Sequence, residues 1–239
     1  MKNVIINYTG TVGKTTIAAN LLSPRMQGAP IYAIESINET VEDLGLDVEK
    51  LRGDKFRELF QKLMLEDNAI IDVGASNVED FMTHLIGFEE AHDEIDYYIV
   101  PVTSGTKEQK ETATMIDTLS AMGVPASKIK LVFNRVKRDV DSEFAIIISY
   151  YNRKKSFYMN AQCAIFETEL FDALSVKRIS LNTLMADETD YKSMLKDKSA
   201  SMPDREMWSD MYGLKLLARG VNRKLDAVFH ALFNEEVAQ

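Results

Sequence analysis

The junction between an apolar segment at the start of the chain and a glycine-rich turn constrains the fold more than any other feature. Residues 4–6 are Val-Ile-Ile, residues 10–16 are Gly-Thr-Val-Gly-Lys-Thr-Thr, and residues 17–22 are largely apolar. Glycines let backbone N–H groups turn inward around an oxyanion, and the start of a helix adds the positive end of its dipole. A strand, this turn and a helix in that order distinguish a phosphate-binding loop from a chance match. The junction therefore predicts an α/β protein that binds a nucleotide.

The residues of this loop have separate predicted roles. Lys14 can reach the β- and γ-phosphates, and the Thr15 hydroxyl can bind Mg²⁺. Backbone N–H groups of residues 10–15 are expected to cradle the phosphates. ATP and Mg²⁺ are therefore the predicted cofactors, and Lys14 is a predicted catalytic residue. The predicted nucleotide-binding positions in the loop are Thr9, Gly10, Thr11, Val12, Gly13, Lys14, Thr15 and Thr16.

A second apolar strand carries the predicted metal carboxylate. Residues 69–73 are Ala-Ile-Ile-Asp-Val, so Asp72 stands near the end of a buried strand and Gly74 follows it. P-loop ATPases present a carboxylate to Mg²⁺ in this way, directly or through water. Asp72 is therefore a predicted catalytic residue and, with Thr15, a predicted metal ligand. The loop at Gly74 can approach the γ-phosphate and change with nucleotide state.

The loop departs from the common phosphate-binding pattern, because Tyr8 holds the position where a glycine is usual. It resembles the deviant Walker A loop of the ParA/MinD ATPases, Lys-Gly-Gly-x-Gly-Lys-Thr, and its variant form is similar to plasmid stability proteins of the StbB type. Thr9 stands where that family carries a signature lysine, and Thr11 where it carries a second glycine. In the family this lysine crosses a dimer interface to the partner's nucleotide. The resemblance implies a nucleotide-dependent homodimer. Because Thr9 stands in place of the signature lysine, this chain lacks the side chain that contacts the partner's nucleotide in the family.

The strand that ends at Glu35 resembles the first switch of that family, where Asp-x-Asp-Pro-Gln helps to place the attacking water. Two alignments remain open. Glu35 matches the second Asp, with residues 38–40 as the following Asn-x-Thr, and is then catalytic. Alternatively Glu35 matches the first Asp, Ile37 occupies the catalytic place, and hydrolysis is feeble. The alternative without a catalytic role is that Glu35 is a solvated glutamate at the end of a strand.

Asn134 ends a later apolar strand, where folds of this type hold the base. Its amide oxygen and nitrogen can pair with adenine. A GTPase would carry Asn-Lys-x-Asp, and Lys137 stands where that Asp should be. Asn134 is therefore a predicted cofactor-binding residue that favours ATP over GTP, with a polar residue at a strand end as the structural alternative.

Apolar runs alternate with helical stretches along most of the 239 residues. Strands are predicted at residues 2–7, 30–35, 69–73, 97–102, 129–134 and 163–166. Their continuous apolar content is typical of parallel strands that are covered on both faces. The predicted fold is an α/β P-loop NTPase: a twisted, mainly parallel sheet with helices on both faces and a helical C-terminal segment. Residues 1–239 form one domain, with a nucleotide-binding core at about 1–175 and a helical part at about 176–239.

Helix is predicted from about residue 205 to 233, with Gly213 and Gly220 as candidate breaks. Packing against the sheet is the expected role, and a partner-binding helix is the alternative. Membrane docking is disfavoured because the polar face is not strongly basic. No apolar run approaches the ~20 residues of a membrane span. With a single cysteine, Cys163, the chain can form no internal disulfide. A cytoplasmic protein is expected.

The net charge of −9 is unevenly distributed. Residues 127–160 carry eight Lys or Arg and three Asp or Glu, a net charge of +5 in an otherwise acidic chain. Arg153, Lys154 and Lys155 lie among aromatic residues in this segment. Such cations can neutralise DNA phosphates without reading bases. Direct, non-specific DNA binding is one interpretation, and a solvated helix end is the other.

The resemblance implies a nucleotide switch in plasmid DNA partition, stability or positioning, with a link to conjugation as one form of that role. ATP and Mg²⁺ would order the loops after Glu35 and Asp72, and hydrolysis would release a second subunit, an adaptor or a DNA-binding partner protein. Two alternatives remain. One is a nucleotide-dependent scaffold with little hydrolysis. The other is an ATP-dependent ligase similar to dethiobiotin synthetase.

Overall fold

The structure is a computed structural model that describes residues 1–35, 46–52 and 55–233. Its described part contains one sheet, with the strand order β3-β2-β4-β1-β5-β6-β7 and every neighbouring pair parallel. The strands are β1 (Lys2–Ile5), β2 (Ile31–Ile34), β3 (Val48–Leu51), β4 (Ala69–Val73), β5 (Tyr97–Val102), β6 (Ile129–Val136) and β7 (Ala164–Phe166). The predicted parallel sheet and all six predicted strands are confirmed.

β3 is the strand that the sequence did not predict. It lies at one edge of the sheet, and Glu49 and Lys50 in its centre are exposed. Within the described residues β3 pairs with β2 alone, so it is less buried than the inner strands and lacks their continuous apolar run.

Helices cover both faces of the sheet. The helices of the described residues are α1 (Lys14–Ile17), α2 (Phe56–Leu63), α3 (Val78–Gly87), α4 (Thr106–Ala121), α5 (Val140–Glu143), α6 (Ala145–Lys154), α7 (Leu170–Lys177), α8 (Leu181–Ala186), α9 (Tyr191–Met194) and α10 (Met202–Phe233). On one face α2, α3, α4 and α6 share a core with Val4 and Ile71, and on the other α1, α7, α8 and α10 share a core with Ile5 and Ile70. Alternate residues of one strand therefore enter opposite cores, which explains the unbroken apolar runs.

The C-terminal helix α10 runs for 32 residues through both glycines, so the predicted breaks are wrong. A glycine inside a helix costs about 1 kcal/mol relative to alanine. The buried face of α10 offsets this cost, because Leu214, Ala218 and Leu225 pack in the second core. The helix thus packs onto the domain, as expected. Within the described residues, no helix combines the length and apolar composition that crossing a membrane requires.

Candidate nucleotide-binding site

The loop between β1 and α1 is held at its start by a buried asparagine. Asn7 is inaccessible to solvent, and its Nδ2 donates to Pro101 O at 2.7 Å and to Thr112 Oγ1 at 2.8 Å. Its Oδ1 accepts the Thr9 N–H at 3.1 Å. The side chain therefore ties the loop to β5 and α4. At the other end of the loop, Gly13 adopts φ +81°, immediately before α1 begins at Lys14.

The Lys14 ammonium lies over the loop rather than in open solvent. Only 5% of the residue is exposed, and Nζ donates to Thr9 O at 2.9 Å and to Asn7 O at 3.2 Å. Lys14 also lines a cavity of about 180 Å³ together with nine other residues. These are Gly10, Thr11, Gly13, Thr15, Glu35, Asp72, Gly74, Ala75 and Arg135. We call this space the phosphate cavity.

The two predicted metal ligands meet in the phosphate cavity. Thr15 Oγ1 donates to Asp72 Oδ2 at 2.6 Å, and Asp72 is 3% exposed. Mg²⁺ prefers oxygen ligands and is usually held by one or two protein groups, phosphates and water. A hydroxyl and a carboxylate side by side fit this requirement. No cluster of three or more His, Cys, Asp or Glu residues that could hold a metal occurs in the described ranges, and Mg²⁺ at a phosphate does not need one.

The sheet register brings these groups together. Ile5 pairs with Asp72 and Ala33 pairs with the same residue from the other side, so β1, β2 and β4 end at one edge of the sheet. Glu35 follows β2 at this edge, is 9% exposed and lines the phosphate cavity. Its place fits a role near the phosphates, but the two sequence alignments stay open. Ile37 and residues 38–40 lie outside the described residues.

A second cavity of about 200 Å³ adjoins the phosphate cavity, and Arg135 belongs to both. We call it the base cavity; its lining residues are Thr16, Asn134, Arg135, Phe166, Glu167, Thr168, Phe171 and Asp172. Four of the eight belong to the loop after β7 and to α7, where ligands of open α/β sheets commonly bind. Of the predicted binding residues, Thr16 and Asn134 lie here. Thr9 and Val12 line neither cavity.

Asn134 is already engaged with the phosphate loop. Its Nδ2 donates to Val12 O at 2.7 Å, and its Oδ1 accepts the Arg135 N–H at 3.0 Å. A primary amide has two N–H donors and two acceptor lone pairs, so one of each is left for a base. The predicted contact with adenine thus stays a prediction. The structure adds a second role, because Asn134 also fixes the loop.

Thr9, at the position of the signature lysine, bonds within its own chain. It is 7% exposed, and its hydroxyl donates to Glu111 of α4. Lys107 lies 3.6 Å from the other oxygen of that carboxylate. Where the sequence resemblance places a lysine, the structure therefore has a hydroxyl hydrogen-bonded to a glutamate.

The basic segment is divided between two ends of the sheet. β6 carries Asn134 at its carboxyl end, whereas Tyr158 N donates to Ile129 O at its amino end. Arg153, Lys154 and Lys155 precede Tyr158 and are exposed, so they lie away from the phosphate cavity and the base cavity. We call these three residues the basic patch.

Parts of the basic segment serve packing. Lys130 is fully buried, with its ammonium 4.1 Å from the ring centre of Tyr158, and Tyr151 packs edge-on against Phe157.

Burial raises the pKa of the Cys163 thiol to about 12, so the chain's single cysteine stays protonated and unreactive near neutral pH.

The sequence indicated Arg135 only as part of the basic segment, and it did not point to Glu111 or to the loop after β7. A signal for the last was present, because a strand was predicted at residues 163–166 and the residues after a parallel strand face the ligand edge. Glu111 carried none, since its pairing with Thr9 depends on how α4 packs across 102 residues of chain.

Comparison with solved structures identifies the fold. A chain of the MinC:MinD cell division protein complex of Aquifex aeolicus superimposes with a TM-score of 0.60 at 14% identity, covering 100% of this chain and 97% of that one. MinD of Aquifex aeolicus gives 0.59 at 13% identity, covering 99% and 98%. The septum site-determining protein MinD of Pyrococcus horikoshii, complexed with Mg-ADP, gives 0.50 at 16% identity, covering 92% and 95%. No protein-family model and no curated protein sequence matches. The chain has the P-loop NTPase fold of these MinD proteins.

Proposed function

We propose that this chain is an ATP-binding nucleotide switch of the ParA/MinD type, with weak hydrolysis, that acts in DNA partition, stability or positioning. The observation that carries the proposal is the meeting of Lys14, Thr15 and Asp72 in one cavity. Lys14 and Thr15 follow β1, and Asp72 lies in the neighbouring strand β4. Together they supply the three groups that a nucleoside triphosphate with Mg²⁺ requires. The complex of the Pyrococcus horikoshii MinD with Mg-ADP, on the same fold, supports ATP and Mg²⁺ as cofactors.

Each group then has a defined role. Lys14 neutralises phosphate charge, and backbone N–H groups of the loop surround the phosphates. Thr15 and Asp72 hold Mg²⁺, which withdraws charge from the phosphate oxygens when bound. Glu35 places the attacking water if the first alignment is correct. Asn134 and the base cavity hold adenine.

The nucleotide state of the switch controls an interface with another protein. Glu35 and Gly74 line the phosphate cavity at the ends of β2 and β4, where a γ-phosphate would lie close to both residues. We infer that ATP orders this surface for a second copy of the chain or for an adaptor. The Aquifex MinD, which is found in complex with MinC, is an example of a protein of this fold with a partner.

The Thr9–Glu111 contact favours a second candidate function, a scaffold that binds ATP and barely hydrolyses it. A hydroxyl bonded to a carboxylate cannot stabilise negative charge in a partner's site as an ammonium can. Single-turnover ATP hydrolysis, measured with and without DNA, separates the two candidates. A turnover that DNA does not change and that stays near the uncatalysed rate favours the scaffold.

Nucleotide-dependent assembly is the first test. Light scattering or sedimentation with ADP, ATP or a slowly hydrolysed ATP analogue, each with Mg²⁺, should show a shift from monomer to dimer only with ATP and the analogue. ATP binding is confirmed in the same samples by titration calorimetry. Tight binding without a shift would contradict the homodimer and direct the search to an adaptor. A chain that binds no ATP would contradict the switch itself.

Charge reversal tests DNA binding through the basic patch. Replacing Arg153, Lys154 and Lys155 by glutamate should abolish salt-sensitive retention of DNA, with at least a tenfold loss of affinity at about 0.1 M salt. ATP binding should stay unchanged because the patch lies at the opposite end of β6. The matched control reverses three exposed lysines of the C-terminal region, Lys192, Lys196 and Lys198. Equal losses in both triple variants would contradict a specific role for the patch.

A further inference from the structure

The backbone at Arg135 is unusual for a strand. Opposite β7, Asn134 pairs with Ile165 and Val136 pairs with Phe166, so Arg135 is an extra residue in a β-bulge. Its φ is +55°, in the left-handed region that non-glycine residues enter only at an energetic cost. Of the described non-glycine residues with positive φ, two others directly follow α6 and α7, where such a conformation is common. Arg135 alone among them lies within a strand.

The bulge sends the Arg135 side chain to the ligand edge. The other residues of β6 are buried, and Arg135 is the exposed exception. Bulges beside functional sites commonly re-aim a side chain in this way. Arg135 lines both the phosphate cavity and the base cavity, so the side chain lies where a nucleotide would pass from one to the other.

The position of Arg135 is coupled to the phosphate loop. Its backbone N–H donates to Asn134 Oδ1 at 3.0 Å, and Asn134 Nδ2 donates to Val12 O at 2.7 Å. Two hydrogen bonds therefore connect the bulge to the loop that would hold the phosphates. Local strain that surroundings maintain in this way is typical of functional positions.

The charges around Arg135 leave a role for its guanidinium. The lining of the two cavities includes four carboxylates, from Glu35, Asp72, Glu167 and Asp172. Within the part of the chain that the structure describes, Arg135 is in ion-pair contact with none of them. A planar guanidinium binds phosphate oxygens through two parallel hydrogen bonds, which an ammonium cannot do.

We propose that Arg135 contacts the phosphate chain of the nucleotide bound to its own subunit, as a second cation beside Lys14. The inference rests on the proposed function, since it names a further residue of the same site. This contact gives a physical reason why residue 135 is an arginine, although a glycine would adopt its positive φ without strain. The guanidinium also provides a positive charge from the same chain, which the uncharged Thr9 does not.

The test uses Arg135→Gly, because glycine relieves the backbone strain and removes the guanidinium together. In the full chain this variant should keep or raise the melting temperature, by up to about 3 °C, while its ATP and ADP affinities fall at least tenfold. Adenosine affinity, followed by ligand-observed NMR, should stay the same. The ATP and ADP affinities of Arg135→Lys should lie between those of the wild type and those of Arg135→Gly. Arg138→Gly, an exposed neighbour outside both cavities, is the matched control.

The outcomes separate this inference from the function on which it rests. Wild-type protein that binds no ATP would overturn the proposed function. Wild-type binding with unchanged ATP and ADP affinities in Arg135→Gly would overturn only the role of Arg135. An equal loss for adenosine would also overturn it, because the contact would then be to the base or the ribose. A merely structural role predicts a lower melting temperature in this variant, which strain relief does not.

Discussion

Replacing Lys14 by alanine should weaken ATP binding roughly 100-fold and leave the fold intact. Hydrogen bonds to charged groups contribute about 1.5–3 kcal/mol each, and an ammonium against several phosphate oxygens lies at the upper end of this range. The residue is only 5% exposed over the loop, so its side chain is already positioned before ligand arrives. Titration calorimetry with Mg²⁺ measures the affinity, and circular dichroism with thermal melting reports the fold.

Lys14→Ala also removes the donor to Asn7 O and Thr9 O, so a small loss of stability, about 1 kcal/mol, is expected. Lys110→Ala is the matched control, because Lys110 is an exposed lysine of α4 that lines neither cavity. It should bind ATP as the wild type does. Unchanged ATP affinity in Lys14→Ala would contradict the assignment of the site. A melting temperature lowered by more than about 8 °C would indicate that folding, rather than phosphate binding, had been affected.

The interior of the sheet could be predicted because its signal is local. Ala69–Val73 is apolar except for Asp72 and ends at the turn to Gly74, and the observed strand has the predicted bounds. β3 could not be predicted in this way, because its exposed Glu49 and Lys50 resemble a loop. The continuity of α10 through Gly213 and Gly220 was also beyond local reasoning. It depends on a second core formed with α1, α7 and α8, and such packing overrides weak helix propensity.

For the site, the sequence indicated which residues lie at the carboxyl ends of the strands. The parallel topology explains why these residues meet. Thr15 follows β1, and Asp72 is the last residue but one of the neighbouring strand β4, so their contact at 2.6 Å follows from the register. The positive φ of Arg135 has no such explanation in local sequence. It arises because β6 and β7 pair with an offset, which only the assembled sheet reveals. Long-range contacts of this kind decide the finer chemistry of the site.

Gly13 is the position where the loop tolerates change least. Its φ of +81° costs any other residue about 1–2 kcal/mol. A Cβ at this position would lie 2.3 Å from Asn134 Nδ2, which belongs to a residue that is 2% exposed and hydrogen-bonded to Val12 O. Moving the amide would sacrifice its bonds to the loop and to Arg135, at about 1 kcal/mol each. Gly13→Ala should therefore lower the free energy of unfolding by about 3–4 kcal/mol, measured by urea denaturation, and abolish ATP binding.

The variant Gly28→Ala separates the backbone cost of a positive φ from the cost of the steric overlap with Asn134. Gly28 has nearly the same φ, +78°, but a Cβ there would meet nothing within 4 Å, so only the backbone cost of about 1–2 kcal/mol applies. In the double variant Gly13→Ala, Asn134→Ala, the steric overlap disappears and the backbone cost remains. Its destabilisation should fall short of the sum of the two single variants by about 1–2 kcal/mol. Additive effects would contradict the contact between Gly13 and Asn134, and a Gly13→Ala variant no less stable than Gly28→Ala would show that the amide moves without loss. Coupling between them would show that the residue predicted to hold the base also determines the shape of the phosphate loop.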